Sequence, residues 1–219
     1  MTLDIWLLKL TFMNNDIINK LTEIFVRFPG IGPKQARRFV YFLLSQQTGA
    51  LQNFSKLIAE LKTDIHQCEL CTRFFILGAK RFPLCDLCAD QARDNSLLMI
   101  VEKDIDLNNI RKLGVYNGQY AVLGGLVPIL EKDPTNRIRQ DSLIKNIEKR
   151  LSEHKLKEII IALSVTREGD NTVDHLKSLL RPYEEKGVKI SILGRGLSSG
   201  TEIEYTDSDT IKNALLNRH

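Results

Sequence analysis

Cys68-Glu69-Leu70-Cys71 is followed, thirteen residues later, by Cys85-Asp86-Leu87-Cys88, and these are the only 4 cysteines in the chain. A CxxC turn brings two thiolates within reach of one ion, and two such turns complete a tetrahedron of soft ligands. A disulfide pair, a redox CxxC and an iron–sulfur cluster use the same residue types. Paired knuckles with no cysteine left over favour zinc. Four thiolates leave no open coordination position, so the ion is read as structural Zn2+ stapling a small module over residues 63–92. Cysteines used for metal rather than for disulfides point to a reducing compartment, hence the cytoplasm.

On the amino-terminal side of this motif, apolar residues recur at helical spacing over 17–28 (Ile17, Ile18, Leu21, Ile24, Phe25, Phe28). Phe28-Pro29-Gly30-Ile31-Gly32-Pro33-Lys34 interrupts the pattern. Pro29 and Gly30 stop one helix, and Pro33 suits the first turn of the next, which carries Ala36, Phe39, Val40, Phe42, Leu43 and Leu44. Helix, PGIGP turn, helix is a helix-hairpin-helix pattern. Its glycines let backbone N–H groups face outward at a helix N-terminus, where the dipole favours a phosphate. Lys34, Arg37 and Arg38 follow at once. From Met13 to Lys62 there are seven basic residues (Lys20, Arg27, Lys34, Arg37, Arg38, Lys56, Lys62) and three acids (Asp16, Glu23, Glu60), 7 − 3 = +4, which equals the net charge of the whole chain. A basic helical face can be merely solvated. The hairpin directly before it favours sequence-independent contact with a nucleic-acid backbone, for which Lys34, Arg37 and Arg38 are the candidates.

On the carboxyl-terminal side, Ser96–Val101 and Ile159–Leu163 are continuous apolar runs, and Tyr120–Gly125 and Val188–Ile192 are shorter ones. Amphipathic stretches separate them at Ile105–Leu113, Ile138–Leu151 and Asn171–Leu180. Strands alternating with helices predict a parallel sheet with helices on its faces, and ligands meet such sheets at the carboxyl ends of the strands. Glu102 ends one strand; Glu168 and Asp170 follow another. Three converging carboxylates can hold Mg2+ for phosphoryl chemistry, or can be ordinary loop acids. Arg167, beside two of them, works against a divalent cation. No Ser/His/Asp or Cys/His constellation is present, and His66, beside the first knuckle, finds a tetrahedron already filled. Gly194-Arg-Gly-Leu-Ser-Ser-Gly200 lacks the Gly-Lys-Ser/Thr ending of a P-loop.

Length and composition bound these readings. With 219 residues, 43% hydrophobic and 26% charged, the chain suits one or two globular domains. No apolar run is long enough for a membrane span. Residues 1–12 are apolar but broken by Asp4 and Lys9, with no cleavage site of secretory type. They are read as an extension, with Met13 as an alternative start.

Helix-hairpin-helix, four-cysteine motif and acidic α/β unit, in this order, resemble the bacterial recombination mediator family RecR. The α/β unit resembles a Toprim domain. The resemblance runs from about Met13 onward and rests on FPGIGPKQARR at 28–38, the two CxxC pairs, GQYAVLGG at 118–125 and GRGLSSGTEIEYTD at 194–207. It implies a non-enzymatic, clamp-like homo-oligomer, typically a tetrameric ring. Such rings bind double-stranded and gapped DNA and act with RecO and RecF to load RecA at single-stranded gaps. It also implies that Lys34 and Arg38 contact phosphate inside the ring. On the same resemblance Glu102, Glu168 and Asp170 form a face for RecO rather than a catalytic centre. The expected fold is mixed α and β: extension 1–12, helix-hairpin-helix domain 13–62, zinc module 63–92, Toprim domain 96–191 with a parallel sheet, and a short C-terminal strand-helix segment 192–219. The chain departs from the family pattern in its long spacer between knuckles, in Ser164-Val-Thr-Arg-Glu-Gly-Asp170, and in the extension. The competing reading is a small Mg2+-dependent Toprim nuclease.

Overall fold

The computed structural model describes residues 17–76, 83–131, 133–154 and 156–194. The extension, Met13, the middle of the knuckle spacer and the string from Arg195 onward lie outside them. The chain divides into two compact units, residues 1–63 and 64–219.

The first unit is helical. α1 covers residues 17–26, α2 Pro33–Leu44 and α3 Thr48–Asp64. The hairpin between α1 and α2 forms as its residue types require. Gly30 takes a positive φ of 73°, which a side chain would resist. Gly32 is the N-cap of α2, with Pro33 in its first turn. Ala36 and Val40 on α2 and Thr22 on α1 are buried, and the Phe25 ring meets Phe28 and Phe39 edge-on at 5.5 and 5.7 Å. α3, absent from the expected elements, has no buried residue although Leu51, Phe54, Leu57, Ile58 and Leu61 recur along it at helical spacing.

The second unit opens on a short antiparallel hairpin, β1 (Ile65–Gln67) with β2 (Phe74–Ile76), and a one-turn helix, α4 (Asp86–Ala89). Then come β3 (Asp94–Val101), α5 (Asp104–Leu113), β4 (Gly118–Val122), α6 (Gln140–His154), β5 (Glu158–Ala162), α7 (Arg167–Glu184) and β6 (Lys189–Ile192). The four strands β3–β6 form an all-parallel sheet in the order β4-β3-β5-β6. The expected alternation is therefore present. The helix after β5 is longer than its apolar pattern, because Thr166 caps it and draws Glu168 and Asp170 into its first turn.

Each face of this sheet is covered by different material. On one, Leu98, Ile100, Ala121, Ile159 and Ile161 pack against Leu143 and Ile147 of α6 and Val173, Leu176 and Leu180 of α7. On the other, Met99, Val101, Tyr120 and Val122 pack against Leu107 of α5 and against Cys68, Cys71, Cys85 and Leu87. The cysteine segment thus shares its apolar core with the sheet. Near the strand starts, buried Arg150 donates to Asn146 (2.7 Å) on its own helix and to Asn95 (3.3 Å), and the second bond ties α6 to β3.

A polar seam fixes the same contact. Val122 N donates to Cys71 O at 2.9 Å, and the Thr72 hydroxyl lies 2.6 Å from Val122 O and 2.7 Å from Cys71 O. Thr72 holds φ at 60°, the left-handed region that costs a β-branched residue about 1–3 kcal/mol. Substituting Thr72→Val removes the hydroxyl while keeping the shape and the strain. We expect a loss of about 1–3 kcal/mol from the stranded Val122 carbonyl, read as a lower midpoint in urea unfolding.

Candidate nucleic-acid interface and metal centre

The hairpin presents cations at a helix N-terminus that nothing else occupies. No side chain caps α2, and no acid stands in its first turn. Lys34, Arg37 and Arg38 are exposed and, among the described residues, have no ion pair or side-chain hydrogen bond. With Thr22, Pro33 and Tyr41 they line an open cleft of ≈ 460 Å3 against α1. Uncompensated positive charge beside outward-facing amides suits a phosphate.

The four cysteines are brought together. All their sulfurs lie within 4.8 Å of one another, and Cys71 Sγ and Cys85 Sγ are 3.5 Å apart, which is contact and not a disulfide. Metal–sulfur bonds of about 2.3 Å in a tetrahedron put sulfurs about 3.8 Å apart, so the donor set fits a four-coordinate ion. Local structure aims each ligand. Cys68 and Cys71 bracket the turn that leaves β1, where Thr72 N donates to Cys68 O at 2.9 Å. Cys85 is the N-cap of α4 and Cys88 lies one turn on, and Cys85 N points at Cys68 Sγ (3.4 Å) as in a metal knuckle. A hydrogen bond with Cys71 draws the Cys68 thiol well below its ordinary range and pushes Cys71 up. Four sulfurs this close cannot all carry charge without a cation to offset their repulsion.

Residues between and beyond the ligands anchor this centre. Asp86, inside the second knuckle, accepts from Arg73 (3.2 Å) and from Arg111 of α5 (2.8 Å). Arg139 donates to Thr72 O at 2.8 Å and lies over the Phe74 ring. Phe74 N donates to Asp104 Oδ1 at 2.8 Å. Sequence reasoning missed Thr72, Asp86 and Arg139, since none is a ligand and their partners are far away in the chain.

The three carboxylates are differently placed. Glu102, at the carboxyl end of β3, is buried, with 5% of its surface exposed. Both of its oxygens are engaged, Oε1 by the Lys103 ammonium (2.5 Å) and Oε2 by the Ser164 hydroxyl (2.8 Å). Hydrogen bonding and attraction to Glu102 push the Lys103 ammonium above its ordinary range. Glu168 and Asp170 are exposed on the first turn of α7. Among the described residues the cysteine quartet is the one group of three or more such ligands gathered closely enough for an ion; Glu102, Glu168 and Asp170 are not gathered in that way. Lys103 and Ser164 stood beside the quoted acids in sequence, yet spacing gave no sign that they close on Glu102.

Comparison with known proteins assigns three segments of the chain. A model of the RecR helix-hairpin-helix matches residues 18–62, a Toprim domain model matches 96–194, and a model of the RecR C-terminal region matches 196–219. The chain is 33% identical over 201 residues to the recombination protein RecR of Lactobacillus helveticus, covering 92% of this chain and 96% of that protein. It is 36% identical over 202 residues to that of Bifidobacterium longum (92% and 94%), and 34% to that of Bacteroides thetaiotaomicron (92% and 93%).

The chain belongs to the RecR family. Within that family frame the basic hairpin, the cysteine centre and the Toprim acids sit on the segments that the domain models and the CxxC spacing mark. The relatives are named for recombination, not for a reaction they catalyse, and a Toprim domain here does not make an enzyme. No helix among the described residues is long and apolar enough to cross a membrane.

Gly169 separates the two α7 acids for a steric reason. It is buried, its N–H bonds Thr166 Oγ1 at 3.0 Å, and a Cβ at this position would overlap the Ser164 carbonyl oxygen. Gly169→Ala must move the start of α7 away from β5. We expect a loss of at least about 1–3 kcal/mol, seen as a lowered melting temperature.

Proposed function

We propose that this chain is a DNA-binding recombination mediator of the cytoplasm, a clamp-like homo-oligomer closing as a tetrameric ring on double-stranded and gapped DNA. It acts with RecO, and with RecF where that is present, to promote RecA loading at single-stranded gaps. The hairpin domain over 13–62 takes the DNA backbone, with Lys34, Arg37 and Arg38 as its contacts. The module over 63–92 holds structural Zn2+ on Cys68, Cys71, Cys85 and Cys88. The Toprim domain over 96–191 offers Glu102, Glu168 and Asp170 toward RecO, followed by the C-terminal segment 192–219.

The observation that carries this reading is the set of three cations at the uncapped N-terminus of α2 that have no ion pair among the described residues, in a chain of the RecR family. Backbone contacts supply affinity without sequence information, as a mediator acting at any gap requires. The engaged state of Glu102 weighs against the nuclease alternative: a metal-binding carboxylate must present lone pairs, and here an ammonium and a hydroxyl hold both oxygens.

The test is a gapped duplex incubated with the full chain and Mg2+, read for retardation and strand integrity. Lys34→Ala with Arg38→Ala is expected to weaken binding for all sequences alike. The same pair is expected to flatten the slope of log affinity against log salt by about two, close to one for each phosphate no longer neutralised. Binding indifferent to both salt and these substitutions would refute the reading, as would strand cutting abolished by Glu102→Gln.

Zinc has its own check. Four thiolates buried against Met99, Val101, Tyr120 and Val122 cannot lose their ion without exposing a sheet face. The purified chain is expected to carry one zinc per protomer by elemental analysis. A strong chelator is expected to lower the thermal stability of the second unit, and zinc to restore it.

A further inference from the structure

We propose that Tyr41 is a stacking platform for an unpaired base, so that one stripe of α2 takes single-stranded DNA as well as a duplex backbone. The inference rests on the DNA-binding reading above and names what that surface adds to it.

Lys34, Arg37, Arg38 and Tyr41 stand at positions i, i+3, i+4 and i+7, one continuous face of a helix. All four are exposed, whereas Ala36 and Val40 are buried on the other side. The four line one open cleft with Thr22 and Pro33, and Thr22, 8% exposed, forms its floor. Tyr41 is 57% exposed, and its hydroxyl has no hydrogen-bond partner among the described residues. An aromatic ring so placed does little for the fold, since its area remains in water.

The chemistry of the stripe selects its occupant. From Lys34 to Tyr41 the helix rises about 10 Å. Stacked nucleotides advance about 3.4 Å along one strand, so the stripe spans about three of them. A positive groove with an aromatic face alongside is the arrangement that holds single strands: the cations track phosphates, and the ring takes a base of any identity. In a paired duplex the base faces are already stacked, so the ring gains nothing there. A second copy of this chain is a poorer occupant, because it would bring its own Lys34, Arg37 and Arg38 against the same cations.

The experiment measures binding of the full chain to a single-stranded oligothymidylate and to a blunt duplex of equal length, at one salt concentration. The variants are Tyr41→Leu, Tyr41→Phe and Lys34→Ala/Arg38→Ala, each checked for unchanged melting. Tyr41→Leu is expected to weaken single-strand binding about tenfold or more while leaving duplex binding unchanged, and Tyr41→Phe to retain it. In a Tyr41→Trp variant, fluorescence at that position is expected to quench on adding the oligonucleotide. Unchanged single-strand binding in Tyr41→Leu would overturn the proposal, and so would equal losses on both DNAs. A shift in oligomeric mass with Tyr41→Leu would overturn it too, by making the ring a subunit contact. Failure of the phosphate-binding reading is distinct: Lys34→Ala/Arg38→Ala would then leave both DNAs bound as before.

Discussion

The second unit depends on a seam of hydrogen bonds two residues wide. Cys71 and Thr72 meet the last residue of β4, with Val122 N on Cys71 O and the Thr72 hydroxyl on Val122 O. Across it the thiolate turn continues the edge of a parallel sheet. The seam holds Thr72 in a left-handed conformation that a β-branched residue reaches only at a cost, and its hydrogen bonds offset that cost. With the turn fixed, Cys68, Cys71 and Cys85 lie over Met99, Val101, Tyr120 and Val122 and close a sheet face that α5 alone leaves partly open. A cation held by the quartet would neutralise thiolates crowded beside that apolar core.

The carboxyl end of the same sheet carries different chemistry. Glu102 stands just past the end of β3 and is buried. Its surroundings satisfy it internally, since Lys103 supplies the positive charge and Ser164 a hydrogen bond. Glu168 and Asp170 remain outside on α7, held there because Gly169 lets the helix start touch the β5 loop. The result is an acidic surface with one buried, self-neutralised carboxylate beneath it. The helical unit carries the opposite sign on α2, where Lys34, Arg37 and Arg38 have no ion pair among the described residues.

What the sequence by itself determined was local. CxxC spacing brought thiolates into pairs because two residues make one turn. Gly30 and Pro33 shaped the hairpin, Gly30 by the positive φ that a glycine takes readily and Pro33 by suiting a helix first turn that needs no donor. Uninterrupted apolar runs meant strands covered on both faces, and the alternation of strand and helix gave the parallel sheet. The candidate ligands and the cations after the hairpin could be read the same way. Resemblance along the chain supplied the family. Helix α3 went unread although Leu51, Phe54, Leu57, Ile58 and Leu61 recur along it at helical spacing, and none of its residues is buried.

Only the tertiary structure decided how these parts are joined. Thr72 and Val122 are 50 residues apart, Glu102 and Ser164 are 62 apart, and Arg139 reaches Thr72 across 67. None of these pairs has a spacing signature, because periodicity reports which face of an element a residue occupies and not which distant element comes to meet it. The sequence could therefore name Glu102 as an acid at a strand end. That Lys103 and Ser164 occupy both of its oxygens followed only once β5 had packed beside β3. The cysteines likewise showed their pairing by spacing, but it took the folded sheet to make the quartet part of its own core.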